Sequence, residues 1–371
     1  MFGFNTSVIL RGAHLSFLVT ALLIQNSCCA VAQAQSGFKP EQSSKVHSRR
    51  KRANERAPLE IFRQFKRESD APILSPREGK FDSVGAFNPS VVKKKNGHFV
   101  MLYRGQDDKG VSRIGYAESK DGIHFKAHEN PVLSPSQEDE KNGIEDPRLS
   151  PSITEKGAWD LTATIYNTDA QLALFRSKDL KNWKRINVMM PAKRGTWNVN
   201  WTKSGAIVPV KVKGKYWMYY MGDAKDVSDQ TGVAWSKDGI NWLDATDTPV
   251  LRRRAGKFDS KVVEPGPAPI VTANGILLLY NGGDDNLTYR TGWALFDKKN
   301  PARLLARSDR PIFEPEKDWE KKTTSSTVHQ APNVVFVEGL VKDGKRYLVY
   351  YGAADCRVGV ASCVLESVPG K

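Results

Sequence analysis

Polar and charged residues recur about every 60 positions along this chain, each at the entrance of an apolar stretch. The first set consists of Asn88, Asp146, Lys203 with Ser204, Glu264 and Asn333. The second set follows strongly aromatic stretches and consists of Arg104, Asn167, Asp223, Asp284 and Asp355. A purely structural repeat would carry similar residues at equivalent places, whereas these differ and are all polar. Because polar groups are costly to bury without partners, the two sets indicate a functional pocket.

Acidic residues accompanied by asparagine, arginine and aromatic side chains suit a carbohydrate ligand. Aromatic rings pack on sugar C–H faces, and Asn, Asp and Arg bind hydroxyl groups in fixed directions. Glycoside hydrolysis usually requires two carboxyl groups that flank the scissile bond. Asp146 and Glu264 lie two repeats apart, so we expect them to face each other across the pocket. A separation of roughly 6.5–9.5 Å leaves room for a water molecule and favours inversion.

Each of these acids also has a structural interpretation. Asp146 precedes a proline, as turn-forming aspartates often do, and Glu264 is a single charge at a strand entrance. Asp223 and Asp355 follow Tyr-rich strands and would also fit as turn caps. Further aspartates recur with the repeat in Ser-x-Asp-Gly phrases, and we assign these to turn structure.

The elements that would position the pocket repeat as well. The stretch 115–125 (GYAESKDGIHF) returns at 172–183 and 232–242, with a weaker copy from 292. Each copy predicts a short strand, a tight turn and an aromatic residue, and a pair of strands precedes it. Units of four strands at a steady interval predict an all-β fold, a five-bladed β-propeller over residues 58–371. Equivalent residues of the repeats then converge near the axis.

The N-terminal region has the features of an exported protein. An apolar run of about ten residues precedes a small-x-small site at 30–32, so residues 1–32 are expected to be a signal peptide. A lipoprotein signal at Cys28 is less favoured because Gln25 lies three residues before it. Residues 33–57 are basic and polar, which indicates a disordered linker, with binding to nucleic acid or an anionic surface as the less favoured alternative. We therefore expect a secreted or periplasmic protein with no membrane span and no nucleic-acid partner.

Several classes of site find no support in the sequence. No histidine or cysteine spacing is typical of a metal site, and no GxSxG or P-loop motif occurs. We expect no metal and no cofactor. Cys356 and Cys363 remain after cleavage, and the sequence leaves open whether they pair. The oligomeric state is open as well.

Four motifs, taken together and in this order, resemble glycoside hydrolase family 130. They are Ile144–Arg148 (IEDPR), Glu264–Ile270 (EPGPAPI), Ala331–Phe336 (APNVVF) and Tyr350–Asp355 (YYGAAD). The resemblance covers residues 70–365 and implies a β-mannoside phosphorylase or β-1,2-mannosidase on a five-bladed propeller. It implies that Asp146 is the proton donor, in the phosphorylases through the sugar 3-hydroxyl, and that Asn88, Arg104, Arg148 and Asp355 contact the sugar.

The chain departs from the phosphorylase pattern of that family at two places. The resemblance predicts a phosphate-binding His-Arg pair where this chain has Tyr220–Asp223 (YMGD), and Glu264 stands where the phosphorylases lack an acid. Carboxylates repel phosphate and supply a base for water. Lys203 and Lys211 keep a phosphate site open.

We predict a secreted, inverting glycosidase that releases mannose from β-mannosides of a mannose-containing glycan, with a β-1,2 linkage favoured. Asp146 is the predicted acid and Glu264 the predicted base, with Asp223 as helper or alternative base. The predicted substrate-binding residues are Asn88, Arg104, Arg148, Asn167, Lys203, Asn333 and Asp355. The alternatives are a β-mannoside phosphorylase, a non-catalytic carbohydrate-binding propeller, and an enzyme for another sugar such as a furanoside.

Overall fold

The computed structural model describes residues 56–193, 197–223, 229–325 and 328–370. The predicted signal peptide and residues 33–55 of the predicted linker lie outside these ranges. The first strand, β1, spans Arg56–Arg67, so regular structure begins two residues before the predicted domain boundary at 58. Apart from two one-turn 3₁₀ helices, Glu138–Glu140 and Asp318–Glu320, the secondary structure of these ranges is β-strand. The predicted all-β class is confirmed.

Within the described ranges the strands group into antiparallel units. The first unit contains β2 (Gly85–Lys93), β3 (Phe99–Gln106), β4 (Ser112–Ser119) and β5 (Lys126–Ala127). The second contains β6 (Gly143–Pro151), β7 (Trp159–Tyr166), β8 (Ala170–Ser177) and β9 (Lys184–Met190). The third contains β10 (Trp201–Ile207), β11 (Tyr216–Asp223), β12 (Gln230–Ser236) and β13 (Leu243–Asp244).

Two further units complete the described part of the chain. The fourth contains β14 (Val262–Pro265), β15 (Ile270–Val271), β16 (Ile276–Gly283), β17 (Tyr289–Asp297) and β18 (Asn300–Arg307). The fifth contains β19 (Val335–Asp343), β20 (Arg346–Ala353) and β21 (Arg357–Gly370). β1 is the outer strand of this last unit because it pairs with β21 in antiparallel register. The two ends of the fold are thereby joined within one sheet.

Apolar side chains fill the spaces between successive units. Leu102 of the first unit belongs to one buried cluster with Leu161 of the second, and Leu172 shares a cluster with Met218 of the third. Corresponding clusters join Tyr219 to Leu278, Leu279 to Val337, and Leu348 to Met101. The last of these brings the fifth unit against the first, so the packing closes on itself. Burial of this apolar surface is the main stabilising term of such a fold.

The first strand of several units is interrupted at the residue that the sequence pattern singled out. The β2–β3 register shifts between Phe87 and Ser90, and equivalent shifts occur in the second and third units. The shifts surround Asn88, Asp146 and Ser204, whose φ angles are 50°, 52° and 57°. A bulge of this kind redirects the side chain of the extra residue. The three side chains are thus presented by the same local distortion, 58 residues apart.

Two smaller predictions can also be compared with the structure. Cys356 and Cys363 are both free thiols and buried, which resolves the question that the sequence left open. Within the part of the chain that the structure describes, no helix has the length and hydrophobicity needed to cross a membrane.

Candidate active site

Asp146 is a buried carboxylate of the second unit whose hydrogen-bond partners come from the first unit. The Asn88 side-chain amide donates a hydrogen bond of 2.7 Å to Asp146 Oδ1, and Arg104 Nη1 lies 3.3 Å from the same oxygen. Burial by itself would raise the pKa of Asp146. Arg104, Lys203 and Arg148, together with the Asn88 hydrogen bond, outweigh burial and lower that pKa below its ordinary value.

Two cations balance the acids around Asp146. Arg104 Nη2 lies 2.7 Å from Glu145 Oε1, and Arg104 Nε donates to Ser112 Oγ at 2.9 Å. Lys203 Nζ lies 3.9 Å from Glu145 Oε2. Burial would lower the pKa of Lys203, but Glu145, Asp146 and Glu264 raise it overall. Both cations therefore stay charged at neutral pH.

Glu264 is the second buried carboxyl group of the cluster. It lies at the end of β14, and the Ser204 hydroxyl, presented by the bulge of the third unit, donates a hydrogen bond to it. Burial, and then the nearby charge of Asp146, raise the pKa of Glu264 to about 7. The charge of Asp146 is thus felt by Glu264, and the two predicted catalytic carboxyls lie in one buried cluster.

The two pKa directions run opposite to the roles predicted from the sequence. A general acid is expected to have the raised pKa and a general base the lowered one. Below a pH of about 7, Glu264 holds the proton and Asp146 is the ionised member of the pair. The pair nevertheless holds one proton in total, which is the number that an acid and a base require together. The predicted roles therefore need the proton to move to Asp146, or the two roles to be exchanged.

Asp223 lies at the end of β11 beside the first strand of its unit. The Asn200 side chain donates a hydrogen bond of 2.9 Å to Asp223 Oδ2, and Trp201 Nε1 donates to Asp229 Oδ1 at 3.0 Å. The charge of Asp223 contributes, after burial, to the raised pKa of Asp229. These acids extend the carboxylate cluster toward Trp201, which is 36% exposed and is therefore available to a ligand.

Two of the predicted substrate-binding residues, Asp355 and Asn167, have different surroundings. Asp355 belongs to the cluster: burial raises its pKa, and the charges of Arg104 and Asp146 act on it, while its Oδ2 accepts a hydrogen bond from Ala331 N at 2.8 Å. Asn167 is different, because its side chain bonds to the Glu138 carbonyl and to Asn142, and no bond from it to the acidic cluster is found among the described residues. The strand register makes Tyr166, rather than Asn167, the counterpart of Asp223, and a sugar contact of Asn167 stays a prediction.

Asn333 does not occupy the position that the repeat predicted. It precedes β19, and its carbonyl accepts a hydrogen bond from Tyr289 N at 3.0 Å. The register shift of the fifth unit lies between Val337 and Gly339, which makes Glu338 the counterpart of Asn88 and Asp146. Sequence reasoning missed Glu338 because the interval was measured to Asn333. The register of β19 with β20, rather than any local motif, identifies it.

The structure also corrects the expectation for two basic residues. Arg148 was predicted to contact the sugar, but it is buried, donates to backbone carbonyls and pairs with Glu338. Lys211 lies in the loop between β10 and β11, where its ammonium group contacts the Tyr216 ring at 4.3 Å. Lys203 and Asp223 are at the other end of that hairpin. Of the two lysines kept open as phosphate ligands, Lys203 alone belongs to the cluster.

The site is therefore a set of buried carboxyl groups with two partly buried cations. Around Asp146 lie the acids Glu145, Asp223, Asp229, Glu264, Glu338 and Asp355, and the cations Arg104 and Lys203. Within the described ranges, no group of three or more His, Cys, Asp and Glu residues is arranged to hold a metal ion. Such a site can exchange protons with a bound sugar and orient its hydroxyl groups.

Comparison with known proteins identifies the family. The family model described as beta-1,4-mannooligosaccharide phosphorylase, the model of glycoside hydrolase family 130, matches residues 60–369. The chain belongs to glycoside hydrolase family 130. The match covers every strand of the described structure except the first residues of β1 and the last residue of β21, and the resemblance inferred from the four motifs is confirmed.

The family members similar to this chain are mannoside-active enzymes. A 1,2-beta-oligomannan phosphorylase of Thermoanaerobacter is 35% identical over 82% of this chain and 99% of its own length. A beta-1,2-mannobiose phosphorylase of Listeria innocua is 32% identical over 69% of this chain and 67% of its own. Each of five curated relatives is named as a phosphorylase. The chain is thus similar to enzymes that act on mannosides.

A solved structure of the same family is equally similar. It was described in work on family members that are glycoside hydrolases targeting beta-1,2 mannosidic linkages in Candida mannan. It superposes with a TM-score of 0.71 at 32% identity, and the superposition covers 84% of this chain and 98% of that one. Relatives of both reaction types therefore share this fold at similar identity.

Proposed function

We propose that this chain cleaves β-1,2-linked mannosides and transfers the mannosyl group to water. The carrying observation is the pair of buried carboxyl groups, Asp146 and Glu264, which lie close enough for the charge of Asp146 to raise the pKa of Glu264. An attacking water needs a carboxylate that can take its proton, and this pair supplies one. The mannoside specificity is supported by the relatives, whose names include β-1,2-mannobiose and 1,2-β-oligomannan as substrates.

The proposed active site lies on the axis of a five-bladed propeller. This arrangement is supported by the closure of the fifth unit on the first and by one cavity that all five units line. The cavity wall includes Ser90, Thr162, Gly205, Pro267 and Leu340, one residue from each unit in turn. The bulge residues of the first strands lie beside that cavity. Such an axis brings together residues that are about 60 positions apart in sequence.

In the proposed mechanism, Asn88 and Arg104 hold the Asp146 carboxyl while the sugar occupies the space between Asp146 and Glu264. One member of the pair gives a proton to the leaving oxygen, directly or through a sugar hydroxyl, and the other takes a proton from the attacking water. The exposed face of Trp201 supports the leaving sugar. Attack from the side opposite to the leaving group gives inversion.

Phosphorolysis is the second candidate, and the activities for which the relatives are named favour it over hydrolysis. Each of the five curated relatives is named as a phosphorylase. Lys203 keeps its charge within reach of the acidic cluster, and it is the residue that would bind phosphate. In that reaction phosphate takes the place of water, and no base is required to activate it.

Product analysis separates the two candidates. The purified full chain is incubated with β-1,2-mannobiose in the presence and absence of inorganic phosphate. Hydrolysis predicts free mannose as the product, at the same rate in both samples. Mannose 1-phosphate that forms only with phosphate would establish the second candidate. Absence of cleavage in both samples would contradict the proposed mannoside specificity.

A further inference from the structure

Arg148 connects the backbone on both sides of the proposed catalytic pair. Its Nη1 donates to the carbonyl oxygen of Asp146 at 3.1 Å. Its Nε donates to the carbonyl of Gly266 at 3.0 Å, and its Nη2 donates to that of Pro265 at 3.0 Å. Pro265 and Gly266 directly follow Glu264 in sequence. A single guanidinium group thus joins the bulge that presents Asp146 to the segment that presents Glu264.

The fifth unit supplies a partner for this guanidinium. Glu338 Oε1 lies 2.6 Å from Arg148 Nη1, and the two side chains are 0% and 4% exposed. Burial raises the pKa of Glu338 well above its ordinary value although Arg148 opposes this. Among the described residues neither Glu338 oxygen has a hydrogen-bond partner, although Arg148 Nη1 lies 2.6 Å away. Burying a carboxyl group and a guanidinium together costs the solvation of both, so stability of the core is a poor explanation for this contact.

The space around Arg148 and Glu338 is not completely filled by side chains. Arg148 and Glu338 line a cavity of about 50 Å³, together with residues of the other units such as Ser90 and Thr162. This volume is room for about three or four water molecules. Because the space behind the site is not filled by side chains, a directed set of hydrogen bonds is needed to fix the separation of the two segments.

We propose that Arg148 and Glu338 are positioning residues that set the distance between the Asp146 and Glu264 carboxyls. The inference rests on the proposed catalytic roles of those two acids. The planar guanidinium can make three backbone bonds in fixed directions, which a lysine ammonium group cannot reproduce. Glu338 lies against the guanidinium from the fifth unit, with Oε1 2.6 Å from Nη1, and this close contact is the proposed support of the Arg148 side chain. Neither residue needs to touch the substrate.

The test is the Arg148→Lys variant, with Arg67→Lys as its matched control. Arg67 is 9% exposed and also makes several charged and carbonyl bonds, to Glu320, Glu316 and Glu314, but these join β1 to the loop before the second 3₁₀ helix. We expect both variants to have a lowered Tm. Arg148→Lys alone should lose kcat, by about 100-fold on β-1,2-mannobiose, because small misplacements of catalytic groups have effects of that size. Its KM should stay within about threefold, because substrate contacts are intact.

A double-mutant cycle with Glu338→Gln tests whether the two residues act together. Glutamine keeps the shape of glutamate and one acceptor oxygen. The loss of kcat in Glu338→Gln should therefore be smaller than in Arg148→Lys, within about tenfold of wild type. If Glu338 acts through Arg148, the double variant should be no slower than Arg148→Lys. Multiplicative losses, or a kcat of Arg148→Lys within about twofold of wild type, would overturn the proposal.

Crystal structures of the wild type and of Arg148→Lys give a readout that does not depend on activity. The proposal predicts that the distance between Asp146 Cγ and Glu264 Cδ changes by about 0.5 Å or more, the tolerance typical of catalytic groups. An unchanged distance would refute the positioning role even if the enzyme is active. A wild-type protein without mannosidase activity would refute the proposed function, and the two structures would still decide the role of Arg148. If the lysine variant does not fold, the Glu338→Gln structure and kcat provide the same comparison.

Discussion

Aspartates of the repeated turns and carboxyls of the central cluster show two uses of the same chemical group in one fold. In the turns, Asp121, Asp179 and Asp238 each lie two residues after a serine. Each accepts hydrogen bonds from the backbone N–H groups of the second and third residues that follow it. They are largely exposed to solvent, and their hydrogen bonds hold the pKa of each below its ordinary range. The structure thus confirms the prediction that these Ser-x-Asp residues form turns.

The central carboxyls differ from the turn aspartates in every one of these respects. Asp146, Glu264 and Glu338 lie on the first strands of three different units. All three are buried, their hydrogen-bond and charge partners differ, and the pKa of Asp146 is lowered whereas those of Glu264 and Glu338 are raised. A repeat conserves what each unit needs for its own folding. Residues that vary between units at the same converging position are free to take a shared function, and this contrast is what the following variants test.

The largest effect is expected for Asp146→Asn. Loss of the carboxyl removes a proton-transfer group, which should lower kcat/KM on β-1,2-mannobiose by about 10²–10⁴. A mannoside with a dinitrophenyl leaving group needs no protonation. If Asp146 is the acid, the variant should therefore lose less than about tenfold on that substrate. An equal loss on both substrates would assign Asp146 to the base and Glu264 to the acid.

Glu264→Gln is expected to lower activity by a similar or smaller factor, about 10²–10³, while it stabilises the fold at high pH. The folded-state pKa of Glu264 is raised to about 7 from 4.5, so ionisation destabilises the protein as pH rises through this interval. A neutral glutamine avoids that penalty, which amounts to at most about 3 kcal/mol. Thermal unfolding should show a higher Tm than wild type at pH 8 and a smaller difference at pH 4. A destabilised variant at pH 8 would contradict the raised pKa.

An intermediate effect is expected for Asp223→Asn. Asp223 lies with Asn200 at the edge of the cluster, so its loss should change local charge without removing a proton-transfer group. Steady-state kinetics should show about a tenfold loss of kcat/KM. A loss equal to that of Glu264→Gln would make Asp223 the base and would remove that role from Glu264.

The smallest effect on activity is expected for Asp238→Ala, the variant of the turn class. It removes the hydrogen bonds that Asp238 accepts from Ile240 and Asn241, which should reduce the free energy of unfolding by about 1–2 kcal/mol. The kcat/KM of the folded enzyme should be unchanged. A hundredfold loss of activity in this variant would break the distinction between turn and cluster aspartates.

The sequence predicted the all-β class, the repeating units and most members of the cluster, because turns and alternating strands are local signals. Asn88, Asp146 and Ser204 were found by their spacing alone. The structure explains that spacing, because the first strand of each of these three units has the same kind of bulge at this residue. A bulge also breaks the alternation of side chains along a strand. The sugar contact expected of Arg148 was implied by the family resemblance, and the structure turns this side chain toward the backbone of the fourth unit.

Glu338 and Asn167 show where the spacing argument fails. The loop before β19 is longer than its counterparts, so counting from Glu264 leads to Asn333 and misses the bulge five residues later. Asn167 lies one residue beyond β7, where its side-chain amide donates a hydrogen bond to the Glu138 carbonyl of the first 3₁₀ helix. Pairing register decides both cases, and register between distant strands is set by tertiary packing.

The pH dependence of wild-type kcat/KM on β-1,2-mannobiose tests the central claim most directly, since it counts the protons on the Asp146–Glu264 pair. An acid and a base acting together need one proton, which the pair holds below the Glu264 pKa of about 7 and loses above it. The account predicts that kcat/KM is highest on the acid side of neutrality and falls as pH rises through about 7. A rate that is constant from pH 5 to about 9, or that rises through this interval, would contradict the account.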